Sequence, residues 1–333
     1  MFDNLNKFAI QQLGFGPVGE VRILTNGSSN SHLYFRDKVY ETNLHTSVWQ
    51  AEAAMVTQRN DVMLVTPESH IWLGDAGVTV TTLTWDKQST HMVGMDGTGR
   101  AGYQRARFGQ NSVVWTDVSL LTVSGASNIF KNLRFMHGVN THDHYCLKVS
   151  GAGNRFENVC FAGPSVATQG ASADYASVEL ASATSNYFKD CVFGTNNDVD
   201  RSAANCILKI SGTGGGANVF EDCVFISRSG GGQSTAIFIN DAHTGTVVGW
   251  NAIFLNCQFL HTGATLTEGI TKAAAANRYL YFDNRCTFVG VTDQVTAGQE
   301  ANIIWGGSGR GPDTVAAYDN KGMGKGTTVV ATH

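Results

Sequence analysis

Apolar and polar positions follow one six-residue word through the second half of the chain: aromatic, any residue, Asn or Asp, apolar, any residue, Phe. It reads FKNLRF from Phe130, FENVCF from Phe156, FKDCVF from Phe188, FEDCVF from Phe220 and FLNCQF from Phe254; a further copy, FDNRCTF from Phe282, carries one extra residue. Successive starts lie 26, 32, 32, 34 and 28 residues apart. A strict word at loose spacing is the trace left by stacked parallel strands, in which each winding repeats its core positions while its loops vary.

The fourth and sixth positions of the word share a parity, so Leu133/Phe135, Val159/Phe161, Cys191/Phe193, Cys223/Phe225 and Cys257/Phe259 are expected to face inward and stack. With the leading Phe130, Phe156, Phe188, Phe220 and Phe254 they make up the expected core ladder. The third position, Asn132, Asn158, Asp190, Asp222 and Asn256, falls where the chain must bend sharply. Asn and Asp tolerate the left-handed conformation better than other non-glycine residues, so these five are the expected turn ladder.

Each winding climbs about 4.8 Å, so windings of about 30 residues would give roughly eight coils and a rod on the order of 35 to 40 Å. The expected organisation is an N-terminal arm over 1–45, the coil over 46–290 and a Gly-rich C-terminal arm over 291–333. A helix at about 47–58 would plug the front: Ser47 and Gln50 form a capping box, and Val48, Ala51 and Met55 share a face. Early strands are expected at 62–65, 82–85, 91–93, 112–115 and 120–123. The fold class is therefore all-β, a parallel β-helix with a capping helix and extended terminal arms.

Composition narrows the function. Only 15% of residues are charged, and the net charge is −4, which provides no basic footprint for nucleic acid or for an anionic membrane. No apolar run approaches the ~18 residues of a membrane span, and the opening MFDNLNKFAIQQLGFG lacks the apolar centre of a secretion signal, so synthesis in a host cytoplasm is expected. Seven cysteines without CxxC spacing read as free thiols. Cys191, Cys223 and Cys257 occupy the position that Leu133 and Val159 fill in other windings, and Cys146 and Cys206 head the apolar runs YCLKVSG and NCILKISG.

The helix followed by NDVMLVTP, then LTWDKQSTHMVGM, then the repeated F-x-[ND]-[LVC]-x-F windings resemble the right-handed parallel β-helix, or pectate-lyase-like, superfamily over residues 46 to 290. LTWDKQSTHMVGM in particular is similar to β-helix proteins of tailed bacteriophages, including virion decoration proteins. The resemblance implies a fold that hosts lyases, hydrolases, tailspike depolymerases and non-catalytic virion proteins alike.

Candidate chemistry is sparse. Sugar-cleaving enzymes on this fold collect carboxylates on one outer face, and the NTD, DD, GHG and RxK signatures that the resemblance would supply are missing from the windings over 46–290. Asp198 and Asp200, beside Arg201, could pair across a substrate or form a solvated turn. His137, His142, Asp143 and His144 have the donor types of a metal site, against the alternative of a polar loop. GTGGGAN from Gly212 reads as a turn between windings, lacking the ending of a phosphate loop. Arg100, Arg105 and Arg107 form a basic cluster that could grip an acidic partner or simply be exposed. Asp174, Glu179, Asp241 and Glu268 have no partner readable from sequence.

No catalytic, cofactor or metal site is therefore expected. The expected function is a non-catalytic bacteriophage virion structural protein, a capsid decoration or cement protein contacting the major capsid protein or other virion proteins, as a homo-oligomer with a trimer favoured. The alternatives are a phage tailspike that binds or cleaves host polysaccharide, and a secreted pectate-lyase-like enzyme.

Overall fold

The computed structural model describes residues 2–14, 16, 18–67, 71–73, 82–96, 104–110, 119–137, 145–165, 167–195, 199–202, 205–229, 239–242, 249–264, 266–272, 278–296, 299 and 303–306. The chain winds through three walls of parallel strands: wall one has eleven strands, walls two and three eight each. Every third strand along the chain is a neighbour, which is the order of a continuous coil, and the fold is an all-β parallel β-helix.

The word spans a corner. Its first Phe lies in wall one, where Phe130, Phe156, Phe188, Phe220, Phe254 and Phe282 are partners in register. Its last Phe lies in wall two, where Phe108, Phe135, Phe161, Phe193, Phe225, Phe259 and Phe288 are aligned likewise. All thirteen rings are fully buried. Each column stacks almost face to face, at 4.6 Å for Phe156 on Phe188 and 4.6 Å for Phe193 on Phe225. The two columns meet edge to face, as for Phe193 and Phe220 at 5.8 Å and 65°, the offset and perpendicular arrangements that the ring quadrupole favours.

Wall three closes the interior with Leu83, Leu121, Leu147, Val178, Leu208, Ile239 and Ile270 in register. A further buried column runs through Leu133, Val159, Cys191, Cys223, Cys257 and Cys286. The four thiols lie 3.4, 3.5, 3.4 and 3.4 Å from the carbonyls of Phe156, Phe188, Phe220 and Phe254, to which they donate. All seven cysteines are buried thiols outside any disulfide.

The bend in the word is left-handed: φ is 56°, 52°, 53°, 54° and 52° at Asn132, Asn158, Asp190, Asp222 and Asn256. These side chains also link windings, since Asn158 donates to Asn132 at 2.9 Å and Asn256 to Asp222 at 2.6 Å. Parity along the word is thus broken at position three: position one faces inward from wall one, and positions four and six, which share a parity, face inward once the chain has turned the corner.

A second amide ladder, not anticipated from the sequence, lines the corner between walls three and one. Asn128, Asn154, Asn186 and Asn218 are buried, and the backbone N–H of each rung reaches the carbonyl oxygen of the next side chain at 3.0, 2.9 and 3.1 Å. Thr90, within LTWDKQSTHMVGM, starts the ladder by donating from its backbone to Asn128 at 2.9 Å.

The N-terminal segment corrects the expectation of an arm. Helix α1 (Phe2–Leu13), strand β1 (Val21–Leu24), helix α2 (Asn30–Arg36) and strand β2 (Leu44–His45) all precede the coil. β1 pairs with β3 (Asp61–Val65) and joins wall one. Leu5, Ala9 and Leu13 of α1 pack with Val21, Ile23, Val62, Leu64 and Val93 on the outer face of that wall. Apolar outward positions in the first windings therefore give the segment a surface to fold on.

Helix α3 (Val48–Ala54) is shorter than expected, and Ser47 makes no side-chain capping bond, so the capping box is absent. Val48, Ala51 and Met55 nevertheless sit in the main core with Met63, Val65, Leu83 and Trp85, plugging the front of the coil. At the other end the windings run past 290, with strands Val291–Val295 and Ile303–Trp305, and Trp305 lies over Phe282 at 4.7 Å. The strand expected at 112–115 and the remainder of the C-terminal arm, 307–333, lie outside the described residues.

Candidate functional site

On the outer face of wall three, register brings ionisable groups of successive windings together. Thr122, Lys148, Glu179 and Lys209 are consecutive rungs of one outward row, and Tyr145, Ala176 and Cys206 are rungs of the row beside it. The strand alternation that aims Leu147 and Val149 into the core aims Lys148 out. Glu179 lies between the two lysines with only 6% of its side chain exposed; Lys148 Nζ is 3.2 Å away, and Ser211 Oγ donates to its carboxylate at 2.6 Å. Lys209 Nζ donates to the Tyr145 hydroxyl at 3.3 Å. Both ammonium groups lie 5.7 Å from the Tyr145 ring centre.

Burial, then the neighbouring Glu179 carboxylate, pushes the Tyr145 phenol well above its ordinary range. The phenol stays protonated and can donate but not act as a base. Two ammonium groups around one carboxylate leave the row with a single excess positive charge. Its chemistry suits holding an anionic or hydroxyl-rich ligand rather than abstracting a proton.

The residues weighed from sequence are placed as follows. Asp200 pairs outward with Arg228 at 2.5 Å, while Arg201 turns inward and is 1% exposed. Its guanidinium donates to Asn205 at 2.7 Å and to the carbonyls of Cys206 and Gly163 at 3.2 and 3.4 Å, binding the loop after Gly163 to the coil. Asp200 is thus engaged by Arg228, and Asp198, with which it was expected to pair, lies outside the described residues. His137 is buried, stacked on Tyr175 and 3.1 Å from the Gln169 amide. His142, Asp143 and His144 lie outside the described residues. Among the described residues no group of three or more His, Cys, Asp or Glu side chains is arranged to hold a metal ion.

Arg107 donates to the Gln104 carbonyl at 3.0 Å, the Arg105 backbone donates to Asp96 at 3.0 Å, and Arg100 lies outside the described residues. The GTGGGAN segment is a turn between windings. Gly215 has φ +85°, and a Cβ there would fall 2.4 Å from the Ser182 backbone. Asp174 is exposed, Glu268 accepts from Thr296 at 3.1 Å, and Asp241 is buried as the strand partner of Lys272. The Tyr145/Lys148/Glu179/Lys209 grouping went unread because its members are about 30 residues apart. The signal was the in-register pair YCLKVSG and NCILKISG, whose lysines share a position.

No known family's sequence profile matches the chain, and no curated protein matches it. Solved structures do. A pectin methylesterase in complex with a hexasaccharide aligns at TM-score 0.55 and 12% identity, over 96% of this chain and 98% of that one. The Escherichia coli protein ybhc aligns at TM-score 0.50 and 11% identity, over 88% and 85%. A pectate lyase aligns at TM-score 0.48 and 12% identity, over 86% and 78%. The chain thus has the pectate-lyase-like, right-handed parallel β-helix fold. That architecture is shared with enzymes that act on polysaccharides.

Proposed function

We propose that this chain is a non-catalytic structural protein of a tailed-bacteriophage virion, a decoration or cement protein that lays its coil against the major capsid protein as a homotrimer. The observation that carries the reading is the doubled phenylalanine stack, continuous from Phe108 to Phe288 in wall two and from Phe130 to Phe282 in wall one. An interior of stacked rings resists bending and makes a stiff strut, and stiffness is what a shell reinforcement contributes. The resemblance of LTWDKQSTHMVGM to phage β-helix proteins supports the same reading, and that segment builds the start of the buried amide ladder. Electron microscopy of particles produced with and without this chain tests it. Density for the coil on the shell, at a threefold position, is the expected result; particles carrying none of it would refute the proposal.

A second reading, a tailspike or receptor-binding protein that engages host polysaccharide, is favoured by the Lys148/Glu179/Lys209 row with its protonated Tyr145. On this reading an acidic oligosaccharide binds wall three, and replacing both lysines with alanine weakens its calorimetric binding at least about tenfold. Unchanged affinity in the double variant removes this reading. Release of reducing or unsaturated ends from host glycans by the purified protein would instead overturn the non-catalytic one.

A further inference from the structure

Wall three turns two columns of side chains toward the core. One holds Leu121, Leu147, Val178, Leu208, Ile239 and Ile270 and stays apolar. The other runs through Val123, Val149, Leu180 and Ile210, all members of the main core, and then changes character: its next two rungs are Asp241 and Lys272. Strand alternation puts both on the side of the sheet that Ile239 and Ile270 occupy two positions earlier, and they are 0% and 3% exposed. An acid and an amine thus follow one another in a column otherwise made of hydrocarbon.

We propose that Lys272 Nζ and the Asp241 side-chain carboxyl condense into an amide, a covalent staple between two successive windings. The two residues are Cα partners on neighbouring parallel strands, about 4.8 Å apart, and the four methylenes of lysine let its nitrogen reach across that gap. Both backbones are held in place. Ala242, next to Asp241, donates to the Ile210 carbonyl at 2.9 Å, and the Lys272 N–H donates to Gln299 Oε1 at 2.7 Å. Groups pinned side by side react as if at very high concentration.

Burial supplies the rest. Taking an ammonium and a carboxylate out of water is costly, and a buried ion pair often stabilises no better than apolar residues of the same volume. Burial lowers the Lys272 pKa, with the Asp241 carboxylate opposing it, and so favours the free amine. Passing the ammonium proton to the carboxylate leaves an amine beside a carboxylic acid, the pair that condenses. The Nζ lone pair attacks Cγ, the N–C bond forms and the C–OH bond breaks. The hydroxyl leaves as water with one proton of the amine, so no oxidant, reductant or further reactant is needed. The product carries no charge, and a site closed to solvent protects it from hydrolysis. In a stack that opens from its ends, a staple between the strands Ile239–Asp241 and Leu266–Lys272 ties the last windings to the body of the coil, whichever partner the coil meets.

Mass spectrometry of the denatured full chain tests the proposal, on freshly purified protein and after prolonged incubation. The expected mass is one water below that of the sequence. Trypsin should fail to cut after Lys272, giving 229–278 as one peptide lighter by one water, and chymotryptic cutting after Trp250 should leave its two parts joined. Lys272→Arg keeps the positive charge but removes the nucleophile, and should restore the full mass. The full sequence mass in the wild-type protein at both times overturns the proposal in favour of an ordinary buried ion pair. So does a loss of water that persists in K272R, and so does a wild-type peptide 229–272 released by cutting after Lys272. Should K272R fail to fold, the wild-type peptide map decides alone: joined segments support the staple, and a free Lys272 refutes it.

Discussion

At the scale of single residues, position in the coil outweighs chemical type. Phe193 contacts Phe161 and Phe225 face on, at 5.6 and 4.6 Å, and Phe188 and Phe220 at an angle, both at 5.8 Å. Phe193→Ala should cost about 3 to 5 kcal/mol in denaturant unfolding; a loss below about 1 kcal/mol would mean that the ring stack does not bear on stability. His91 shows the opposite logic. It occupies the outward row of wall one under α1, 1% exposed, and its Nδ1 accepts from the Ile129 backbone at 3.1 Å. Burial lowers its pKa from 6.5 to about 4, with the Asp61 carboxylate opposing weakly. The unfolded chain therefore takes up a proton near pH 6.5 that the folded chain refuses until about pH 4. Stability is fully present above the unfolded value and falls as pH drops through this window, by on the order of 3 kcal/mol. Thermal unfolding at pH 7 and pH 4.5 checks the direction, and His91→Gln, with no titrating ring, should flatten the dependence.

At the scale of the element, the two corners of each winding carry amides for different reasons, and substitutions should tell them apart. At the corner between walls one and two the residue is chosen for backbone conformation, so Asp190→Gly should be nearly neutral and Asp190→Ala should cost about 1 kcal/mol or slightly more. At the buried corner the amide is chosen for its bonds. Asn186 accepts from the Asn154 backbone and side chain at 2.9 and 3.1 Å and donates to the Gly151 carbonyl at 3.1 Å. Asn186→Ala orphans those groups away from water and should cost about 2 to 4 kcal/mol. Equal costs at Asp190 and Asn186, measured by denaturant midpoint, would contradict this division.

The same contrast explains what the sequence disclosed. The outer corner was legible because its Asn or Asp sits inside a repeated word. The inner ladder stands two positions before the leading Phe, in NIF, NRF, NYF and NVF, and only the coil's geometry gives that spacing meaning. α1 was missed because a helix of Phe, Leu, Ile and amides declares no partner; its partner is the outward face of strands about fifty and more residues downstream. The grouping on wall three was unreadable for the same reason, since each member is an ordinary polar residue until register aligns it.

At the scale of the whole molecule, the coil is a one-dimensional stack in which each strand meets chiefly the windings above and below it. In such an array stability approximates a sum of nearest-neighbour terms, and opening begins at the ends. The front is closed twice, by α3 within the core and by α1 outside it. Among the described residues, the far end finishes on Trp305 over Phe282 and Phe288. Native-state hydrogen exchange should therefore show a gradient along the axis. Amides in Arg155–Glu157, Tyr187–Lys189 and Asn218–Glu221 should be slowest, and those in Val291–Val295 and Ile303–Trp305 fastest. Phe193→Ala sharpens the test: a weak winding in the middle should let the C-terminal windings open separately, steepening the gradient beyond residue 193 and sparing the windings before it. If all strand amides instead exchange with one common free energy, in the wild type and in the variant, the coil unfolds as a single cooperative body and the additive picture fails.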